Sequence, residues 1–223
     1  MGLIDVTFER VGNDGSADEG HYGVTGWLKE HVTFGKGKVT IKYVGKSGVS
    51  HEKVVDDAKL VKALKDCCED KKPGDPLLSF GKDDSEGLVK VSSRDVNAYL
   101  KPFDVTAKDI RGLHANREMQ DRLRAVRKKG GKLPTDKKEK EKVLKAEFKT
   151  ALEATAEAVG HEAATLRSQY LVPGLEDDFM KDGTVADTLK NATIVERVAS
   201  AYLQRQATEG WDRKANALSL IHI

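Results

Sequence analysis

Apolar and polar positions alternate along Lys38-Val39-Thr40-Ile41-Lys42-Tyr43-Val44, the period expected of a half-buried strand. Gly45-Lys46-Ser47-Gly48 reads as a turn and Val49 to Val55 as the returning strand, which together make a hairpin. A short strand is predicted ahead of it, from Gly23 to Lys29. At the front, Leu3, Ile4, Val6 and Phe8 suggest the last turns of a helix stopped by Gly12. After Asp56 the period changes. Leu60, Val61 and Leu64 recur at helical spacing, ending before Pro73-Gly74-Asp75-Pro76.

From there the pattern stays helical. Ser92 or Ser93 can cap a helix running to about Leu100, stopped by Pro102. Thr106 caps a long helix reaching towards Val126, with Asp109 standing where a capping box usually has Glu or Gln. Gly130-Gly131-Lys132-Leu133-Pro134 is a linker. The next helix starts at Thr135-Asp136, carries Leu144, Phe148, Ala151, Leu152, Thr155 and Val159 on its apolar face, and ends at Gly160. A short helix carrying Arg167 to Tyr170 and helical segments near 174–182 and 184–208 complete the chain. The fold class is α+β, mainly α: a small antiparallel β-sheet or hairpin followed by a helical body. The chain reads as a single domain with a β-rich part over 1–55, a helical body over 56–208, and a tail over 209–223.

Composition supports a globular protein: 39% hydrophobic and 33% charged over 223 residues, enough for one sizeable core. No stretch approaches the roughly 18 consecutive apolar residues of a spanning helix. The N-terminus carries no basic segment followed by an apolar run, so an intracellular location without membrane attachment is expected. Cys67 and Cys68 are adjacent and have no third cysteine, which suits reduced structural thiols better than a disulfide or a metal site. The net charge of +2 announces no nucleic-acid partner by itself. Its distribution says more. Arg117, Arg122, Arg124, Arg127, Lys128, Lys129 and Lys132 cluster as candidates for phosphate contacts. The lysines from Lys137 to Lys145 are interleaved with acids and suit a solvated helix face.

Attack of a protein hydroxyl on a phosphodiester needs a nucleophile, cations on the non-bridging oxygens, an acid for the leaving oxygen and in-line alignment. Arginine suits the cation because its planar fork donates two parallel hydrogen bonds; lysine suits the acid because it releases a proton. Tyrosine suits the nucleophile where the phosphoester must be reversible. Such residues are present, and each alone has a structural explanation. Tyr170 could pack in a core, a hairpin Lys46 could simply be solvated, Arg111 could be an ion-pair partner, and His161 after Gly160 could cap a helix or pack. Gly45-Lys46-Ser47 also mimics the end of a phosphate-binding loop. Thr40 stands where that motif requires glycine, and the segment joins two strands, so an ATPase is excluded.

The joint arrangement is more specific. Gly160-His161 precedes Tyr170, with nine residues from histidine to tyrosine, and this segment resembles the active-site segment shared by type IB DNA topoisomerases and tyrosine recombinases. Lys108-Asp109-Ile110-Arg111 resembles the Lys-x-x-Arg motif of the topoisomerases, where recombinases usually have His-x-x-Arg. Ile41 to Lys46 followed by Val49-Ser50-His51-Glu52 is similar to the hairpin carrying the general-acid lysine in poxvirus-like and bacterial enzymes. Phe8 to Asn13 followed by Tyr22 to Gly26 resembles the segment of the first catalytic arginine.

The resemblance implies Tyr170 as nucleophile, Arg10, Arg111 and His161 on the non-bridging oxygens, and Lys46 as the acid. Lys108 is implied as a supporting cation; Tyr22 and His51 either pack on the sheet or touch the DNA backbone, and Arg117 and Arg124 of the basic cluster complete the expected DNA contacts. It implies a monomer acting on duplex DNA and relaxing supercoils with no metal, ATP or other cofactor, in whichever compartment holds the DNA. A tyrosine recombinase and an inactive DNA-binding fragment are the alternatives. Arg10 stands close to the start, whereas these enzymes normally carry an N-terminal DNA-clamping domain and further helices before the first arginine. The expectation is therefore a shortened chain without the clamp.

Overall fold

The computed structural model describes residues 2–45, 48–81 and 87–185. They fall into two compact units, one up to Ile110 and one from Arg111 onward. In the first unit, α1 (Gly2–Thr7) and the short α2 (Asp14–Asp18) precede a three-stranded antiparallel sheet in the order β1-β2-β3. Its strands are β1 (Val32–Gly35), β2 (Lys38–Val44) and β3 (Ser50–Val55). The alternation along β2 buries Val39, Ile41 and Tyr43 and leaves Lys42 and Val44 exposed. Ile41 faces Lys53 and Tyr43 faces His51 in the register, so these four side chains share one face of the sheet. That face matters below, because it turns a lysine and a histidine inward.

Asp57 caps α3 (Ala58–Cys68) by accepting the N–H groups of Lys59 and Leu60, and Leu60, Val61 and Leu64 form its buried stripe. A small two-stranded ladder follows, β4 (Ser79–Gly81) with β5 (Leu88–Lys90). Ser92 caps α4 (Ser93–Leu100) in a capping box with Asp95. The second box, at the start of α5 (Ala107–Gly130), is complete although Asp replaces Glu. Asp109 N–H donates to Thr106 Oγ1 at 3.3 Å, and Thr106 N–H donates to Asp109 Oδ2 at 2.8 Å.

The second unit takes up α5 from Arg111 onward and adds α6 (Lys137–Val159), α7 (Ala163–Gln169) and α8 (Leu175–Asp182). Asp136 caps α6, Gly160 closes it, and its interior positions Leu144, Phe148, Ala151 and Val159 are buried. Thr155 Oγ1 lies 3.5 Å from Met119 Sδ, and Arg127 forms an ion pair with Glu147, so α5 and α6 are joined by both packing and charge. Phe148 and Phe179 bring α6 and α8 together, with ring centroids 6.1 Å apart. No described helix is long and apolar enough to cross a membrane.

The mainly helical α+β class holds, and so do β2, β3, α4, α6 and α8. Several boundaries differ. The first helix ends at Thr7, not near Gly12, because Phe8 already adopts a left-handed conformation (φ 57°) and breaks the helical path. Gly23 to Lys29 is not a strand but contains tight turns at Val24–Gly26 and Lys29–His31. The Val24 and Thr25 N–H groups donate to the Arg10 and Val11 carbonyls and the Lys29 N–H to the Asp75 carbonyl, while Leu28 forms an isolated bridge with Pro76. The strand ahead of the hairpin is β1, and β4 and β5 carry too few residues to print an alternation. Helix α3 stops at Cys68, ahead of Pro73 as its spacing predicts. Helix α5 runs on through Gly130, and α7 begins at Ala163. Most of the helix expected over 184–208, and the whole tail, lie outside the described residues.

Candidate active site

Three of the expected residues meet in the second unit. Arg111 lies on the first turns of α5 and is only 5% exposed, although it carries a charge. Its burial is offset by two hydrogen bonds: Nη2 donates to the Val159 carbonyl at 2.6 Å, and Nη1 donates to the Tyr170 hydroxyl at 3.4 Å. Val159 is the last residue of α6, whose final carbonyls have no partner within the helix. The arginine thus satisfies a helix end while being aimed by it. Its guanidinium carbon sits 5.7 Å from the centre of the Tyr170 ring.

His161 follows directly. Its backbone N–H donates to Ala156 O at 2.8 Å, closing the end of α6, and its ring lies 4.5 Å from the Tyr170 ring, centroid to centroid. The cap position of α7 is taken by Glu162, so His161 is not the helix cap; it is a packed histidine whose ring lies against Tyr170. Tyr170 itself terminates α7, its N–H donating to Leu166 O at 3.1 Å. It is only partly buried. A tyrosine hydroxyl, a forked cation and an imidazole ring are thus brought together around Tyr170.

The second unit also holds a residue that sequence reasoning missed. Asn116 is 2% exposed and bridges α5 to the chain around Tyr170. Its Nδ2 donates to Tyr170 O at 2.7 Å and to Gly112 O at 2.8 Å, while its Oδ1 accepts Val172 N–H at 2.8 Å. A signal was present in the sequence: an amide side chain on the helix face shared by the buried Ala115, Met119 and Leu123 must find partners inside.

Arg10 belongs to the first unit and is half-buried in a loop held on both sides. Its carbonyl accepts Val24 N–H at 2.9 Å, and the Val11 carbonyl accepts Thr25 N–H and Thr25 Oγ1, each at 2.8 Å. The two segments run so close that a Cβ on Gly23 would stand 2.5 Å from Gly12 Cα, which only glycine avoids. On the other side, the buried Glu9 pairs with Lys53 Nζ at 3.1 Å and lies 3.7 Å from His51 Nδ1. These are the inward-facing residues of β3, so the sheet register ties the arginine loop to the hairpin.

His51 is stacked on Tyr43, with centroids 5.2 Å apart and planes 12° from parallel. A Cβ on Gly45 would meet the His51 ring at 2.5 Å, so any larger residue immediately before Lys46 would push that ring off its stack on Tyr43. Lys46 lies outside the described residues. Tyr22 packs edge-on against His31 at 4.6 Å, and its N–H donates to Val44 O at 2.8 Å. Burial lowers His31 below the ordinary histidine range, in keeping with its Nδ1 accepting Leu28 N–H at 3.0 Å.

Lys108 is exposed on the first turn of α5. Arg117 is exposed further along it, and Arg124, also exposed, pairs with Asp121 at 2.8 Å. Arg122 and Arg127 are likewise engaged, by Glu118 and Glu147. Both cysteines are free, and burial pushes the Cys67 thiol up to about 11, an inert thiol with no evident part in the site.

Residues 1–174 match the family described as "Eukaryotic DNA topoisomerase I, catalytic core", and the chain belongs to that family. Among its relatives is the "DNA topoisomerase 1B" of Acanthamoeba polyphaga mimivirus, 27% identical over 177 residues, covering 73% of this chain and 48% of the relative. The "DNA topoisomerase I" of Monkeypox virus is 27% identical over 168 residues, covering 75% of this chain and 48% of the relative. The "DNA topoisomerase 1B" of Vaccinia virus (strain Copenhagen) has the same identity and the same coverage. The chain spans about half the length of these curated relatives.

Proposed function

We propose that this chain carries the cleavage and religation chemistry of a type IB DNA topoisomerase, acting on duplex DNA through a covalent 3′-phosphotyrosyl intermediate. The observation that carries the reading is the Tyr170 hydroxyl 3.4 Å from the Arg111 guanidinium, with the His161 ring against the same tyrosine. Tyr170 Oη attacks phosphorus and the bond to the 5′ oxygen breaks, leaving the DNA 3′ phosphate esterified to the tyrosine. Arg111 and His161 stabilise the charge that builds on the non-bridging oxygens, and Arg10 supplies a second fork. Lys46 protonates the departing 5′ oxygen. Religation is the reverse: the 5′ hydroxyl attacks and the phenol leaves. The phosphotyrosine conserves the energy of the broken bond, so supercoils relax without ATP and without a metal.

Lys108 serves as a supporting cation, and Tyr22, His51, Arg117 and Arg124 as contacts to the DNA backbone. Exposed ion pairs such as Arg124 with Asp121 are worth little, so a phosphate can displace the acid. The site of action is the compartment that holds the DNA.

The test is a duplex whose scissile strand is labelled at its 5′ end, incubated with the chain and run on a denaturing gel. Label retained by the wild-type protein and lost in Tyr170→Phe is the expected result. Adduct formation undiminished by that substitution would remove Tyr170 as nucleophile, and label retained only from the 3′ end would reverse the polarity. Relaxation of a supercoiled plasmid in a chelator, without ATP, tests the overall reaction.

A further inference from the structure

We infer that Asn116 is a positioning residue for the nucleophile, holding the backbone on both sides of Leu171 so that Tyr170 is docked before DNA arrives. The inference rests on the reading of Tyr170 as nucleophile. Helix α7 ends at Gln169, and the chain then turns through Ser-free, half-buried residues Leu171 and Val172 towards α8. At such an end the carbonyl of Tyr170 and the N–H of Val172 have no helical partner. Asn116 satisfies both, with its amide donating to one at 2.7 Å and accepting from the other at 2.8 Å.

The amide is the group this position demands. It donates to two carbonyls, of Gly112 and Tyr170, and accepts one N–H, so the assignment of its nitrogen and oxygen follows from the partners. An ionised carboxylate of the same shape keeps the bond to Val172 N–H but turns an acceptor towards two carbonyls. A shorter hydroxyl cannot span all three. Asn116 also stands on α5, the helix that carries Arg111, so one rigid element positions the cation through its own side chain and the tyrosine through the clamp. Small displacements of a reacting group cost rate steeply, about 100-fold for a shift of roughly 1 Å. The clamp therefore acts on the chemical step, not on DNA affinity.

Asn116→Asp and Asn116→Ser are compared with wild type at a temperature where thermal melts show all three folded. Single-turnover adduct formation at saturating duplex should slow by about 10–100-fold in Asn116→Asp and less in Asn116→Ser. Non-covalent affinity, measured in a Tyr170→Phe background, should stay within about twofold of wild type. Loss of a purely structural group lowers the amplitude of the burst and leaves its rate constant alone. Lowering the pH should bring Asn116→Asp back towards wild type, because a protonated carboxyl regains one donor. Amide hydrogen exchange at Val172, whose N–H donates to Asn116 Oδ1, should quicken in both variants without DNA. Rate constants within twofold of wild type, or unchanged exchange at Val172, would overturn the inference. If wild type forms no adduct, the nucleophile reading falls, and the exchange measurement alone decides the clamp.

Discussion

The surroundings of Arg111 and those of Arg10 use two different ways of aiming an arginine. Arg111 sits on a long helix, and its head is fixed by one carbonyl at the end of a second helix. Arg10 sits in a loop, and its backbone is fixed by turns that touch at Gly12 and Gly23. In the helical case placement depends on side-chain reach and helix length. In the loop case it depends on the absence of side chains. The first arrangement should fail gradually through lost interactions, and the second abruptly through collision.

Arg111→Lys offers the sharpest test of the helical case. The ammonium has no fork, so it cannot hold Val159 O and face Tyr170 with the same geometry. Cleavage should slow by about 100–1,000-fold, the usual cost of removing a transition-state donor, while DNA affinity changes little. Retention of more than about a fifth of the wild-type single-turnover rate would show that the fork is dispensable.

Gly23→Ala tests the loop case. The added methyl would meet Gly12 Cα at 2.5 Å, a backbone atom that cannot swing aside. We expect about 1–3 kcal/mol of lost stability in a denaturant melt, as for overpacking, together with slower cleavage. A variant as stable and as active as wild type would mean that the Arg10 loop is not tightly set.

Glu147→Gln gives the smallest effect on chemistry. Its partner Arg127 and Glu147 have side chains 16% and 9% exposed, so the pair is mostly but not wholly dry. Breaking it should cost about 2 kcal/mol, below the range for a fully buried pair, with the cleavage rate constant unchanged. A fall in rate at full folding would extend the site beyond the three residues grouped at Tyr170.

What was legible in the sequence follows the same division. The helical body could be read because caps and glycine stops are local: Ser92, Thr106, Asp136 and Gly160 each act within a few residues of themselves. The grouping of Arg111, His161 and Tyr170 was implied by the family resemblance of their motifs, and these three side chains lie together in the second unit. The segment from Gly23 to Lys29 was misread because its hydrogen bonds are shared between residues 10 and 11 on one side and 75 and 77 on the other, pairings with no periodic trace. Phe8 was misread for a related reason, since a left-handed bulky residue contradicts its own propensity and is imposed by its surroundings. Glu9 and Lys53 became partners only once the register turned Lys53 inward. Asn116 was visible only as a polar residue in a buried helix face.

The Val159 carbonyl has a consequence for how such a chain can drift. An anchor made of main chain survives every side-chain replacement at its own position except one that bends the backbone. Residue 159 is buried, so it can change among apolar side chains of similar volume without disturbing Arg111, and no partner residue need change in step with the arginine. The vulnerability lies in length. One residue added to or removed from α6 near its end rotates the terminal carbonyl by about 100°, and an insertion there should be far more damaging than any substitution at the same place.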